Sequence, residues 1–171
     1  MHVSLLDLKP QLDEIRNEVK IAIDEVVEST QYINGPKVSK FEREIEEYCG
    51  VDNAIGVSSG TDAILVSLMG LDIGPGDIVL TTDYSFFATT GAISRLNAKP
   101  VFLDIDPDTY NLDPKELEKW LDNNEDKHDR VKAIIPVHLF GQCADMKTIN
   151  KIAGKYDIPV IEDAAQAIGA R

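Results

Sequence analysis

The sequence predicts an α/β fold, a predominantly parallel, doubly wound sheet with flanking helices. Three observations carry that expectation. Short, largely apolar, β-rich runs recur at 54–57, 77–82, 100–104, 131–137 and 158–162, as strands covered on both faces do. Between them lie stretches with apolar residues three and four apart, the spacing of amphipathic helices, and such alternation indicates a parallel sheet. The 171 residues, 43% hydrophobic and 27% charged, suffice for a domain with a real core and fit neither a disordered nor a fibrous chain.

The elements follow in order. Leu12, Ile15, Val19, Ile23 and Val26 define a first helix that should end near Ser29. Tyr32-Ile33-Asn34-Gly35-Pro36 is a loop by its Asn-Gly-Pro content, and Val38, Phe41, Ile45 and Tyr48 then mark a second helix stopping at Gly50. Residues 1–36 thus form an N-terminal helix and loop, and 37–171 hold the α/β region. Within that region helices are expected at 61–71, 86–96, 114–121 and 145–155, the third opened by Pro114 after Asp113. The charged stretch 123–130 reads as a solvated loop.

Charge and cysteine usage narrow the function. With 17 Lys+Arg against 30 Asp+Glu the formal charge is −13, which opposes binding to nucleic acid or to an anionic membrane. Cys49 and Cys143 form no C-x-x-C arrangement, so neither a disulfide framework nor a metal site is expected, and both read as small core residues. No basic leader precedes an apolar stretch, and no run approaches the ~20 apolar residues of a membrane helix. A cytoplasmic location is the expectation.

Ligands of open α/β sheets bind beyond the carboxyl ends of the strands. Four such junctions carry chemistry. At Ser58-Ser59-Gly60-Thr61-Asp62 a strand end meets a helix start, whose free N–H groups, dipole and Thr61 hydroxyl suit a phosphate; an ordinary N-cap with Asp62 complementing the dipole is the alternative. At Thr82-Asp83-Tyr84-Ser85-Phe86-Phe87 an aromatic could stack on a planar heterocycle, or Phe86 and Phe87 could pack in the core. His138, just past a strand, is either structural or catalytic. Glu162 and Asp163 end an apolar strand, and alternation sends their side chains in opposite directions, so at most one enters a site. A buried acid there needs a compensating partner, a protonated heterocyclic nitrogen or a backbone cap. Phosphate cradle, aromatic plate, histidine and acid are together the parts that hold pyridoxal phosphate. No Walker or G-x-G-x-x-G motif is present, which disfavours a dinucleotide-dependent oxidoreductase.

Phe41-Glu42 through Cys49-Gly50-Val51, Ser58-Ser59-Gly60-Thr61-Asp62-Ala63, Gly74-Pro75-Gly76-Asp77, Pro136-Val137-His138-Leu139-Phe140-Gly141-Gln142 and Glu162-Asp163-Ala164-Ala165-Gln166-Ala167 resemble, in order and spacing, the DegT/DnrJ/EryC1/StrS family. These are pyridoxal-phosphate-dependent sugar aminotransferases of fold type I, and the resemblance runs from Leu5-Leu6-Asp7-Leu8 to Gly169. It implies an incomplete fold type I large domain with pyridoxal 5'-phosphate as cofactor. Gly60, Thr61 and the Asp62 backbone would hold the phosphate, Phe86 would stack on the ring, and Asp163 would pair with the ring nitrogen. Gln166 would lie near the phenolic oxygen, with His138 beside Asp163. Tyr32 and Asn34, in a segment resembling the family's entrance loop, become candidates for sugar contacts. The resemblance also implies a nucleotide-linked sugar, an amino-acid donor such as glutamate, and a homodimer.

The pattern departs from the family at one point. The family's Schiff-base lysine lies in a segment resembling Ser-Phe-x-x-x-Lys beyond the E-D-A-A-Q motif, and no lysine up to Arg171 has that context. The expectation is therefore the N-terminal part of a longer enzyme, inactive as this piece. A sugar dehydratase of the same fold, with histidine for lysine, and a catalytically dead binding module are the other readings.

Overall fold

The computed structural model describes residues 6–170; the first five residues, including Leu5 of the family resemblance, and Arg171 lie outside the described residues. The chain divides into two compact units, one up to Gly56 and one from Val57. That division falls after the second helix, not after Pro36.

The N-terminal unit consists of α1 (Lys9–Ser29) and α2 (Pro36–Cys49). Thr30 ends α1 in the left-handed conformation, and Gly50, at φ 67°, caps α2 in the same way. Gly35 is needed between them, because a Cβ there would lie 2.4 Å from the Gln31 carbonyl oxygen. Neither helix buries a residue below the surface. Cys49 is accordingly exposed rather than a core residue, while Cys143 is partly buried. The strand expected at 54–57 is absent. The amides of Ala54 and Gly56 donate instead to the carboxylates of Glu46 (3.0 Å) and Glu42 (2.8 Å), so side chains of α2 take the place of a neighbouring strand.

The second unit contains α3 (Gly60–Gly70), β1 (Ile78–Thr82), α4 (Phe87–Arg95), β2 (Lys99–Leu103), α5 (Pro114–Asp122), β3 (Val131–Ile135) and α6 (Met146–Lys155). The stretch expected as a loop at 123–130 is largely a 3-10 helix, Glu125–Arg130, with no buried residue. The sheet has the order β2-β1-β3, all parallel. Side-chain alternation divides the core by sheet face: Ile78, Leu80 and Ile134 pack with Leu117 and Leu121 of α5 and Ile149 and Ile152 of α6. Val79, Ala133 and Ile135 pack on the other face with Ile64 and Leu68 of α3 and Ala92 and Ile93 of α4. The sheet is therefore doubly wound, as expected.

The strands predicted at 131–137 and 158–162 are found as β3 plus two bridges, Ile134 with Val160 and Val137 with Asp163. The parallel ladder runs Ile134 N to Pro159 O (3.0 Å), Ile161 N to Ile134 O (2.9 Å), Asp163 N to Pro136 O (3.0 Å) and His138 N to Asp163 O (3.0 Å). The bond missing from that series would come from the nitrogen of Pro136, which carries no hydrogen. Residues 159–163 thus occupy the place of a fourth strand beside β3, and the chain crosses from the β2 edge to the β3 side of β1, a topological switch point at the carboxyl ends of β1 and β3.

Candidate functional site

Asp163 emerges at that switch point. The side chain of Thr89, fully buried in the first turn of α4, donates to its Oδ2 at 2.9 Å, and the Ala165 amide donates to Oδ1 at 3.3 Å. The carboxylate is half-buried, and no Lys or Arg side chain pairs with it among the described residues. A partly desolvated acid held by neutral donors is set to receive a cationic partner.

Glu162 and Asp163 diverge as alternation requires. The Glu162 carboxylate meets His138 Nε2 at 2.9 Å, away from the Thr89 contact. His138 itself is 2% exposed, and its Nδ1 accepts the Ala144 amide at 3.2 Å. Both ring nitrogens are thereby occupied, so the ring makes no hydrogen bond to the Asp163 carboxylate. The His138 backbone bonds to Asp163 instead, through its amide on the Asp163 carbonyl.

Gln166 is bonded to the turn that follows His138. Its Oε1 accepts the Phe140 amide at 2.9 Å, joining the segment after Asp163 to the 3-10 turn Leu139–Gly141. Phe86 stands at the N-cap of α4 and is 75% exposed, and Phe87, lying over Gly91, is also exposed. Core packing is thus excluded for both aromatics, which leaves Phe86 open at the carboxyl end of β1.

Gly60, Thr61 and Asp62 open α3. Ser59 Oγ accepts the Asp62 amide at 3.1 Å and the Ser59 carbonyl accepts Ala63 N at 2.9 Å, while the amides of Gly60 and Thr61 have no partner among the described residues. A Cβ on Gly60 would meet nothing within 4 Å. The Asp62 carboxylate accepts the Ser58 hydroxyl and lies 4.0 Å from Arg95 Nη1. An N-cap and an open pair of amides therefore coexist here. No direct bond joins this turn to Asp163.

Tyr32 and Asn34 belong to the N-terminal unit. Tyr32 Oη donates to the Val27 carbonyl at 3.3 Å and lines a cavity of about 180 Å³ with Glu25, Ser29 and Lys37; Asn34 is exposed at φ 47°. Among the described residues no cluster of His, Cys, Asp and Glu could hold a metal ion, and no helix is long and apolar enough to cross a membrane.

Two contributors carry no signal strong enough to be singled out from sequence. Thr89 is one of several hydroxyl residues after β1, and only the fold shows that it faces Asp163. Asn111, buried on the β2–α5 connection, bonds the 139–142 turn from a distant part of the chain.

Residues 13–171 match the sequence profile of the DegT/DnrJ/EryC1/StrS aminotransferase family. The chain belongs to that family. A curated relative, the pleiotropic regulatory protein of Geobacillus stearothermophilus, is 47% identical over 100% of this chain and 44% of its own. The UDP-2-acetamido-2-deoxy-3-oxo-D-glucuronate aminotransferase of Pseudomonas aeruginosa is 46% identical over 98% of this chain and 45% of its own. Among solved structures, S. venezuelae DesV in complex with a ketimine intermediate superposes with a TM-score of 0.91 at 40% identity, over 98% of this chain and 43% of that one. The chain thus spans under half the length of these relatives.

Proposed function

We propose that the protein carrying this chain is a pyridoxal 5'-phosphate-dependent aminotransferase that moves an amino group from an amino-acid donor, glutamate, to a keto group of a nucleotide-linked sugar. The Asp163 carboxylate carries this reading. Half-buried, held by Thr89 at 2.9 Å and free of any basic side chain among the described residues, it has the environment that a protonated pyridine nitrogen requires of its partner. When bound, the cofactor supplies an electron sink for proton transfer at the amino carbon.

The chain's own residues have distinct parts. Asp163 keeps a proton on the ring nitrogen, and Thr89 fixes the rotation of its carboxylate. The open amides of Gly60 and Thr61, with the Thr61 hydroxyl, take the phosphate at the positive end of α3, while the Asp62 amide, expected there from the family resemblance, is held by the Ser59 hydroxyl oxygen at 3.1 Å. Exposed Phe86 offers its ring face for stacking, and Gln166 presents its amide toward the phenolic oxygen. His138 braces Asp163 through the backbone and binds no cofactor atom with its ring. Tyr32 and Asn34 are assigned to the sugar. A cytoplasmic homodimer is the proposed state. The names of the relatives support the sugar and transfer classes, since the P. aeruginosa relative is an aminotransferase of a UDP-linked keto sugar.

The test is cofactor retention by the complete polypeptide. The wild-type protein is expected to keep pyridoxal phosphate through gel filtration and convert nucleotide-linked keto sugar to amino sugar with glutamate. Asp163→Ala should lose transfer while Asp163→Glu keeps part of it. A wild-type protein that holds no cofactor, or one that dehydrates the sugar without adding nitrogen, overturns the reading.

A further inference from the structure

We propose that Asn111 is a positioning residue that clamps the Phe140 turn and thereby aims the side-chain amide of Gln166. What Gln166 is aimed at rests on the pyridoxal phosphate reading above; the clamp itself does not.

Asn111 is 2% exposed, so its amide must find partners within the fold. It finds two backbone groups of one turn. Its Oδ1 accepts the Leu139 amide at 3.0 Å, and its Nδ2 donates to the Gln142 carbonyl at 3.1 Å. The two bonds grip both ends of the 139–142 segment. Asn111 is in turn held by its own loop, with its carbonyl accepting the Asp106 amide at 2.9 Å beside the bridge between Ile105 and Leu112.

The gripped turn is an unfavourable one. Phe140 has φ 56° and Gly141 has φ 85°, so a side-chain-bearing residue is kept in the left-handed region that its Cβ opposes. That conformation turns the Phe140 amide onto Gln166 Oε1 at 2.9 Å. A backbone N–H can only donate, so the Gln166 atom it meets must be the oxygen. The NH2 end of Gln166 then faces away from the turn as a donor, suited to an anionic oxygen. Asparagine alone offers the required acceptor and donor on one short planar group: aspartate would set an oxygen against the Gln142 carbonyl, and alanine reaches neither end. The link runs from the β2–α5 loop, through the turn after β3, to the segment after Asp163. Asn111 acts through the turn and touches no bound group.

The experiment uses the complete polypeptide, with amide hydrogen exchange first without cofactor. Asn111→Ala is expected to speed exchange at Phe140 by about tenfold or more while the amides of Thr81 and Ile134 keep their protection. Asn111→Asp, which preserves volume and the bond to Leu139, should show the same localised effect if the alanine variant folds poorly. With pyridoxal phosphate added, Gln166→Leu should displace the visible absorption band, Asn111→Ala should displace it in the same direction, and the double variant should add nothing. Unchanged Phe140 exchange in both Asn111 variants, or protection lost evenly across the sheet, overturns the proposal. So does a band that moves with Gln166→Leu and not with Asn111→Ala. A band that Gln166→Leu leaves in place counts against the pocket reading, and Phe140 exchange then decides the role of Asn111 by itself.

Discussion

The N-terminal unit and the α/β unit are built from helices with the same apolar spacing, yet they bury it very differently. Leu12, Ile15, Val19 and Ile23 of α1 recur as regularly as Leu117 and Leu121 of α5 or Ile149 and Ile152 of α6. In α1 and α2 no side chain is buried, whereas the α5 and α6 residues are closed off by Ile78, Leu80 and Ile134 of the sheet. Periodicity therefore specifies that a helix has an apolar face. What covers that face is a separate question, answered in the second unit by strands fixed at parallel register.

Paired truncations test this contrast most strongly. Leu117→Ala, at a residue with no exposure, is expected to cost about 2–5 kcal/mol in denaturant unfolding. Ile23→Ala, at a residue 56% exposed, should stay within about 0.5 kcal/mol. Equal losses would mean that the two units are stabilised alike. A polar contact inside the second unit comes next: Thr89→Val keeps the shape and removes the donor to Asp163, which should cost about 1.5–3 kcal/mol and weaken pyridoxal phosphate binding together. A stability loss without any change in cofactor affinity would separate Thr89 from the site.

Capping gives a smaller and pH-dependent effect. Asp145 caps α6, accepting Thr148 N at 3.1 Å and the Thr148 hydroxyl at 2.7 Å, and these bonds hold its carboxyl below the usual range. The folded value lies below the unfolded one. The stabilisation is therefore complete above the ordinary value of 3.8 and lost as pH falls through the folded value. Asp145→Ala should cost about 1 kcal/mol at neutral pH, with the difference from wild type narrowing in acid. Smallest of all is Pro136→Ala. It supplies the missing N–H toward the Ile161 carbonyl, a gain of about 0.5–1.5 kcal/mol that the loss of proline's restraint on the unfolded chain largely offsets. The readable signal is a protected amide at position 136, and rapid exchange there would show that proline is not what interrupts the ladder.

The placement of the candidate site residues was legible because they sit at strand-to-helix junctions. Glu162 and Asp163 part as period two requires, and Phe86 stands open at the carboxyl end of β1, where a ligand face was expected. Ring chemistry was less legible. His138 lies in the expected place, but the Ala144 amide and Glu162 claim its two nitrogens, and neither contact follows from spacing along the chain. Thr89 and Asn111 were silent for the same reason: a hydroxyl or amide gains its role from the group that the fold sets opposite it.

The alternation of elements, the helix limits at Ser29 and Gly50, and the family could be read from the order of residues alone, because they depend on neighbours within a few residues and on motifs in order. Where strands stop and which polar groups meet depend on contacts made only in the folded chain. A strand exists only through hydrogen bonds to another segment, so Pro136 shortens one edge and Glu42 and Glu46 replace another. A buried polar side chain is likewise defined by its partner, and Asn111 finds its own 28 residues away at Leu139.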